Sequence, residues 1–118
     1  MMAEGVLAER VGRQDILLLR GVTNRIGVRW ERDQGEGFAP VDLVDWQCLF
    51  ELLAPDGGVW YSRSCDAHGP DGLAVAYVPP EAFTEVVWSG RRTGSWRITA
   101  SRSGVVEVLG WGRWALLD

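Results

Sequence analysis

The side chains suited to covalent or acid–base chemistry are few in this chain and poorly spaced for it. A nucleophilic hydrolase needs Ser or Cys beside a base, and His68 is the single histidine, set in a Gly/Pro/Asp-rich stretch. It has no cysteine pair and no carboxylate constellation near it in sequence, so it reads as solvated. Paired carboxylates could do general acid and base work, and Asp42/Asp45 and Glu81/Glu85 are the nearest candidates. One pair leads into a strand and the other sits on a short helical turn, where carboxylates act as solvated caps. Asp33, Glu36, Asp66 and Asp71 lie in loops and could hold calcium, but the twelve-residue loop spacing that makes such a site specific is absent. Cys48 and Cys65 form no metal-ligand pattern; Cys48 falls on a buried strand face as a small hydrophobe, and Cys65 in a loop. No Gly-x-Ser-x-Gly, Walker or Rossmann pattern occurs. The expectation is no enzyme, no metal and no cofactor.

Binding through aromatic side chains is what remains. The chain has seven tryptophans in 118 residues. Trp30, Trp46, Trp96 and Trp114 fall in phase with the inward residues of their strands and read as core. Trp60, Trp88 and Trp111 fall out of that phase or in connections. An exposed indole offers a large rigid apolar area, as a protein-interface anchor or a sugar-stacking platform; otherwise each packs under a loop. Arg91 and Arg92 join these three tryptophans as interface candidates. All 12 basic residues are arginine, whose forked guanidinium suits interfaces and whose codons suit a GC-rich genome.

The elements that must position these residues are strands. Val22–Trp30 alternates, with Val22, Asn24, Ile26, Val28 and Trp30 on one face. Val44–Leu53 puts Trp46, Cys48, Phe50 and Leu52 inward, and Pro55-Asp56-Gly57-Gly58 is turn chemistry leading to a hairpin partner at Val59–Arg63. Leu73, Val75 and Tyr77 are expected to face inward on the next strand, which Pro79-Pro80 ends. Pro80–Val86 reads as a helical turn with Phe83 as its plug. Trp96, Ile98 and Ala100 alternate with polar residues, Ser101–Gly104 is a tight turn, and Val105–Leu116 is a long last strand in which Gly110 and Gly112 mark a bulge or bend. Arg32–Ala39 and Ser64–Gly72 read as loops. About eight short strands at this spacing predict an all-β antiparallel sandwich, immunoglobulin-like or jelly-roll-like. It forms one domain over 15–118, behind an N-terminal arm or short helix over 1–14.

Composition narrows the partners. The net charge is −4 and no basic cluster exceeds Arg91-Arg92, which disfavours nucleic acid. No apolar run approaches the ~20 residues of a membrane span, and Glu4, Glu9 and Arg10 interrupt any signal-peptide core near the start. Export by the general secretory route is not expected, and both thiols are expected reduced.

Taken in order, these segments resemble a β-sandwich domain of tailed-phage virion proteins. It occurs at the N-terminus of siphophage baseplate upper proteins and, with greater similarity, as the LtfC-like domain of phages of high-GC Gram-positive hosts. The resemblance runs through a hydrophobic strand ending in Arg20-Gly21, the alternation Ile26-Gly-Val-Arg-Trp30, Pro40-Val-Asp-Leu43 followed by Trp46, and Pro55-Asp-Gly57. It continues through Gly72–Tyr77 into Pro80–Val86, then Gly94-Ser-Trp96-Arg-Ile98, and last Gly112-Arg113-Trp114. It covers roughly 15 to 118. Val22 stands where the family often has Asp, and the Gly110–Gly112 stretch replaces more regular strand residues.

The resemblance implies a virion structural protein assembled in the host cytoplasm: a minor tail or tail-tip/baseplate adaptor acting through protein–protein assembly. Its partners would be other virion proteins and copies of itself. Two rivals stand beside it, a capsid decoration or head–tail connector protein, and a carbohydrate-binding module for host cell-wall glycan using Trp60, Trp88 or Trp111.

Overall fold

The computed structural model describes residues 9–10, 12–33 and 35–118. Residues 1–8 and 11 of the expected arm lie outside the described residues. The rest of that stretch is extended, not helical: β1 (Glu9–Arg10) and β2 (Gly12–Arg13) are short strands. They are followed by β3 (Ile16–Leu19), β4 (Asn24–Arg29), β5 (Glu31–Asp33), β6 (Phe38–Pro40), β7 (Gln47–Leu53) and β8 (Val59–Ser64). Then come β9 (Ala67–His68), β10 (Leu73–Val78), two 3-10 turns (Pro80–Phe83 and Val86–Gly90), β11 (Thr93–Arg102) and β12 (Val105–Leu117).

The fold is an all-β sandwich. Its large layer runs β2-β12-β11-β7-β8, with β3 sharing the β12 edge that β2 occupies; β2 and β3 both pair parallel to β12. The facing layer is β4-β10-β9, and a small ribbon, β1-β5-β6, extends from it. The stretch expected as a loop over Arg32–Ala39 is therefore mostly a hairpin, and Ser64–Gly72 contains β9, which pairs with β10. Chain leaves the second layer at Trp30, whose N–H donates to Gly72 O and whose carbonyl accepts from Val41 N–H. Gly72 sits at φ +78 with Trp30 O directly where a Cβ would stand, so only glycine fits there.

Local chemistry closes the hairpins as read. The Ala54 N–H donates to Gly58 O, the Ala54 carbonyl accepts from the Gly57 N–H, and the Asp56 carboxylate accepts the Gly58 N–H. Ser103 (φ 52) and Gly104 (φ 81) make a two-residue turn with both residues left-handed, the twist that antiparallel strands prefer.

The core takes Trp96, Ile98 and Ala100 from β11, Cys48, Phe50 and Leu52 from β7, Leu109, Trp114 and Leu116 from β12, and Leu18 from β3. From the facing layer come Ile26, Ala74, Ala76 and Val78, with Trp30 beside them. Each large apolar side chain removed from water contributes about 1.5–3 kcal/mol, so this interdigitated set dominates the stability. Two expected phases are corrected. Val22 is exposed, because the strand begins only at Asn24. On β10 the inward residues are Ala74, Ala76 and Val78, while Tyr77 is exposed. The tryptophans of the large layer fill the interior, and small side chains fit against them where Leu73, Val75 and Tyr77 would not.

Two glycines explain how the large layer accommodates its tryptophans. In the β11–β12 register Gly94 faces Trp114 and Gly112 faces Trp96. Trp96 lies across Gly112, and its Nε1 donates to Gln14 O at 2.7 Å; Trp114 lies across Gly94, and its Nε1 donates to Leu53 O at 3.1 Å. A Cβ on Gly112 would collide with Gln14 O and stand 2.9 Å from Trp96 Nε1. The two Gly-x-Trp triplets are thus one reciprocal fitting.

Candidate functional site

The strand phases decide what the large layer shows to solvent. In β12 the register shifts between Ile98 opposite Gly110 and Thr99 opposite Val108, leaving Leu109 as the extra residue of a bulge. Before it the inward residues have odd numbers; after it they are Gly110, Gly112, Trp114 and Leu116. Val106, Val108 and Trp111 therefore share the outward face with Leu117. On β3, Leu17 and Leu19 sit opposite Ala115 and Leu117 and add to that face, and Val59 adds to it from β8.

The result is one face of a mixed sheet with seven exposed large apolar side chains: Leu17, Leu19, Val59, Val106, Val108, Trp111 and Leu117. Single exposed hydrophobics are ordinary, whereas several on one sheet face make that face a candidate interaction surface. At its centre an open groove of about 380 Å³ is lined by Leu53, Ser95, Arg97, Val108 and Trp111. Arg97 Nε bonds Glu51 Oε1 at 2.8 Å, and the Arg13 guanidinium stands over the Trp111 ring at 5.5 Å. Arg113 is exposed beside them. The exposed apolar side chains follow β12 and β3, with Val59 across the sheet on β8, whereas the central strand β11 turns Ser95, Arg97, Thr99 and Ser101 to this face.

The five sequence-selected interface residues separate. Trp111 lies on the outer face and is 45% exposed. Trp88 is buried: the 3-10 turn it belongs to folds its ring onto Phe83 at 4.8 Å and against Trp114 at 6.3 Å. Trp60 is half-buried, because it is the extra residue of a second bulge, between Leu52 opposite Tyr61 and Leu53 opposite Val59. The bulge turns it onto Trp88 and Trp114, at 6.4 and 6.1 Å. Arg91 covers this cluster, with its guanidinium 4.9 Å from the Trp60 ring and 5.0 Å from the Trp88 ring. Arg92 points to Asp118 at 3.5 Å. Structure thus groups Trp60, Trp88 and Arg91 at one end of the sandwich and Trp111 on the face.

Several of the acid–base candidates are occupied by structural contacts, whereas Glu81 and Glu85 make no side-chain bond among the described residues. The carboxylates of Asp42, Asp33 and Asp71 accept the N–H two residues on, from Val44, Gly35 and Leu73. His68 is half-buried, not solvated as expected, with Nδ1 2.9 Å from Leu43 O. Asp66 takes two bonds from Arg63 and the Tyr77 N–H, and the Arg63 guanidinium, followed by that N–H, lowers its carboxyl to about 2. Burial raises the thiols of Cys48 to about 11 and Cys65 to about 12; both are free and buried.

Sequence reasoning missed Val106, Val108, Leu17, Leu19 and the exposed Val86 and Val87. A signal existed for the first pair: Val105-Val106-Glu107-Val108 lacks the single inward phase of the other strands.

No protein-family model matches the chain, and none of the curated proteins does. Among solved structures it is similar to the N-terminal domain of phage TP901-1 ORF48, with 12% sequence identity and a TM-score of 0.49 over 92% of this chain and all of that one. At that distance the likeness carries no argument about function.

Proposed function

We propose that this chain is a structural protein of a tailed-phage virion, a minor tail or tail-tip/baseplate adaptor, that works by docking and not by catalysis. The observation that carries the docking half is the outer face of the large sheet, where seven large apolar side chains stay in solvent, Val108 and Trp111 among them lining a groove. The virion half is supported by the ordered run of segments from Arg20-Gly21 to Gly112-Arg113-Trp114, which resembles the phage β-sandwich domain through nearly the whole chain. Modest contacts suffice in such a setting, because a symmetric ring raises the effective concentration of each further contact.

The sugar-binding rival loses support from the placement of its residues: Trp88 is buried and Trp60 lies under Arg91, which leaves Trp111 as the exposed member of the three. The test is a tagged chain followed into purified particles of the phage that encodes it, imaged by cryo-EM. Density at the tail tip is the expected result. Density on capsid facets replaces the tail reading with the decoration reading, and absence from particles overturns both. Retention on host cell walls with Trp111 quenching would favour the glycan reading.

A further inference from the structure

We infer that copies of this chain associate head to tail, the Val86–Val87 knob of one copy seating in the arginine-rimmed Trp111 groove of the next. The inference rests on the docking reading above and names its partner.

The knob is an unusual piece of surface. Val86 is 87% exposed and Val87 50%, the former above the other exposed large hydrophobics among the described residues. A β-branched pair in water gains nothing for the fold, yet its support is firm. Phe83 and Trp88 are buried on either side of it. The Arg20 guanidinium donates to Phe83 O at 2.6 Å and to Trp88 O at 3.4 Å, and also holds Asp118 at 2.9 Å. The two valines are therefore presented on a braced turn, so little ordering cost remains for binding. Glu85 directly precedes them and Glu81 lies in the 3-10 turn before; both are exposed, and neither makes an ion pair among the described residues.

The groove supplies the complement. Trp111, Val108 and Leu53 give it an apolar floor, and Arg13, Arg97 and Arg113 surround it. Asp15 and Glu51 offset two of those three arginines, at 3.4 and 2.8 Å, which leaves a positive rim in an otherwise acidic protein. Apolar knob meets apolar groove, and two free carboxylates meet that rim.

Within one copy the two cannot meet. The knob is tied through Arg20 and Asp118 to the far ends of β3 and β12, whereas the groove lies midway along the outer face of β11 and β12. Knob and groove are different patches, so the contact is heterologous and propagates into a ring or a filament. The contact is small beside the ~800 Å² per partner of a stable pair, so it is weak singly and gains strength when a ring closes.

The experiment is analytical ultracentrifugation up to about 1 mM, near the weak end of specific association. It uses the wild type, Val86→Asn with Val87→Asn, Trp111→Ala, and an equimolar mixture of the two variants. All substituted positions are exposed, and unchanged circular dichroism and melting confirm folding. Wild type is expected to exceed dimer mass, while each variant alone stays monomeric with a dissociation constant raised at least about tenfold, the value of one lost anchor. The mixture should recover a dimer and stop there, because each variant retains the half the other lacks. Raising salt should weaken the wild-type assembly. A wild type that stays monomeric overturns the inference, as does a knob variant that still associates or a mixture that stays monomeric. Particle incorporation separates the two levels: Trp111→Ala lost from particles while the isolated chain is monomeric leaves docking intact and removes only the head-to-tail contact. Trp111→Ala incorporated like wild type removes the docking reading itself.

Discussion

Substituting Gly112 by alanine tests the packing of the large sheet at its tightest point. The new methyl would collide with Gln14 O and approach Trp96 Nε1 to 2.9 Å, where that N–H now donates to the same carbonyl at 2.7 Å. Neither neighbour yields freely. Gln14 continues the edge through its N–H bond to Trp111 O, and Trp96 is buried among core side chains. Overpacking of this kind costs about 1–3 kcal/mol, and loss of the indole hydrogen bond about 1 more. The expected penalty is thus about 2–4 kcal/mol, out of a total stability of about 5–15. At about 4 °C per kcal/mol for a domain of this size, the melting temperature should fall by about 8–16 °C. Guanidinium unfolding followed by tryptophan fluorescence gives the free energy, and Gly12→Ala is the control, since nothing lies within 4 Å of a methyl there. In a Trp96→Phe background the Gly112→Ala penalty should shrink by about 1 kcal/mol, the portion owed to the indole. A Gly112→Ala protein within about 0.5 kcal/mol of wild type, matching the Gly12 control, would refute the reasoning.

Four further outcomes follow from particular contacts. Trp30 Nε1 is buried without an acceptor among the described residues, whereas Trp114 Nε1 bonds Leu53 O. Trp30→Phe should therefore cost about 1 kcal/mol less than Trp114→Phe in urea unfolding, and an equal or larger cost would contradict this. Because the Cys48 and Cys65 thiols ionise at about 11 and 12 when folded and near 9 when unfolded, stability should be intact below pH 9 and fall as pH rises toward those values. Replacing both by alanine should flatten that alkaline decline. The Asp66 carboxylate, lowered to about 2, contributes stability above its ordinary value near 3.8 and loses it as pH falls toward 2, so Asp66→Asn should show a shallower acid limb in thermal melts. Trp111→Phe should remove most of the acrylamide-quenchable fluorescence; unchanged quenching would mean another indole is open to solvent.

Much of the fold was legible because period-two alternation is a direct record of which face is buried. Trp46, Cys48, Phe50 and Leu52, like Trp96, Ile98 and Ala100, declare their phase, and Ser103-Gly104 and Pro55–Gly58 declare their turns. What stayed hidden was phase where a single residue is inserted. The bulges at Trp60 and Leu109 reverse the parity of everything beyond them, so Trp60 turned inward and Val106 and Val108 outward, contrary to a simple count. On β10 alternation was present on both faces, and only the crowding tryptophans of the opposite sheet decide that the alanines lie inside. Trp88 was unreadable because a 3-10 turn has no period long enough to show a face. Of the candidate site, Trp111 could be read from the sequence; the groove around it depends on three strands meeting.

The paired Gly-x-Trp triplets also bear on how β11 and β12 find each other during folding. A slip of two residues keeps every side chain on its own face, so hydrophobic patterning alone does not forbid it. Sliding one way would set Trp96 against Trp114, two indoles competing for one space; sliding the other way would set Gly94 against Gly112 and leave a hole between the strands. Only the native alignment gives each indole a glycine to lie on. The triplets therefore act as a tooth and a notch on each strand. They proofread the alignment of the longest hairpin in the chain, and with it the position of the bulge that brings Trp111 to the surface.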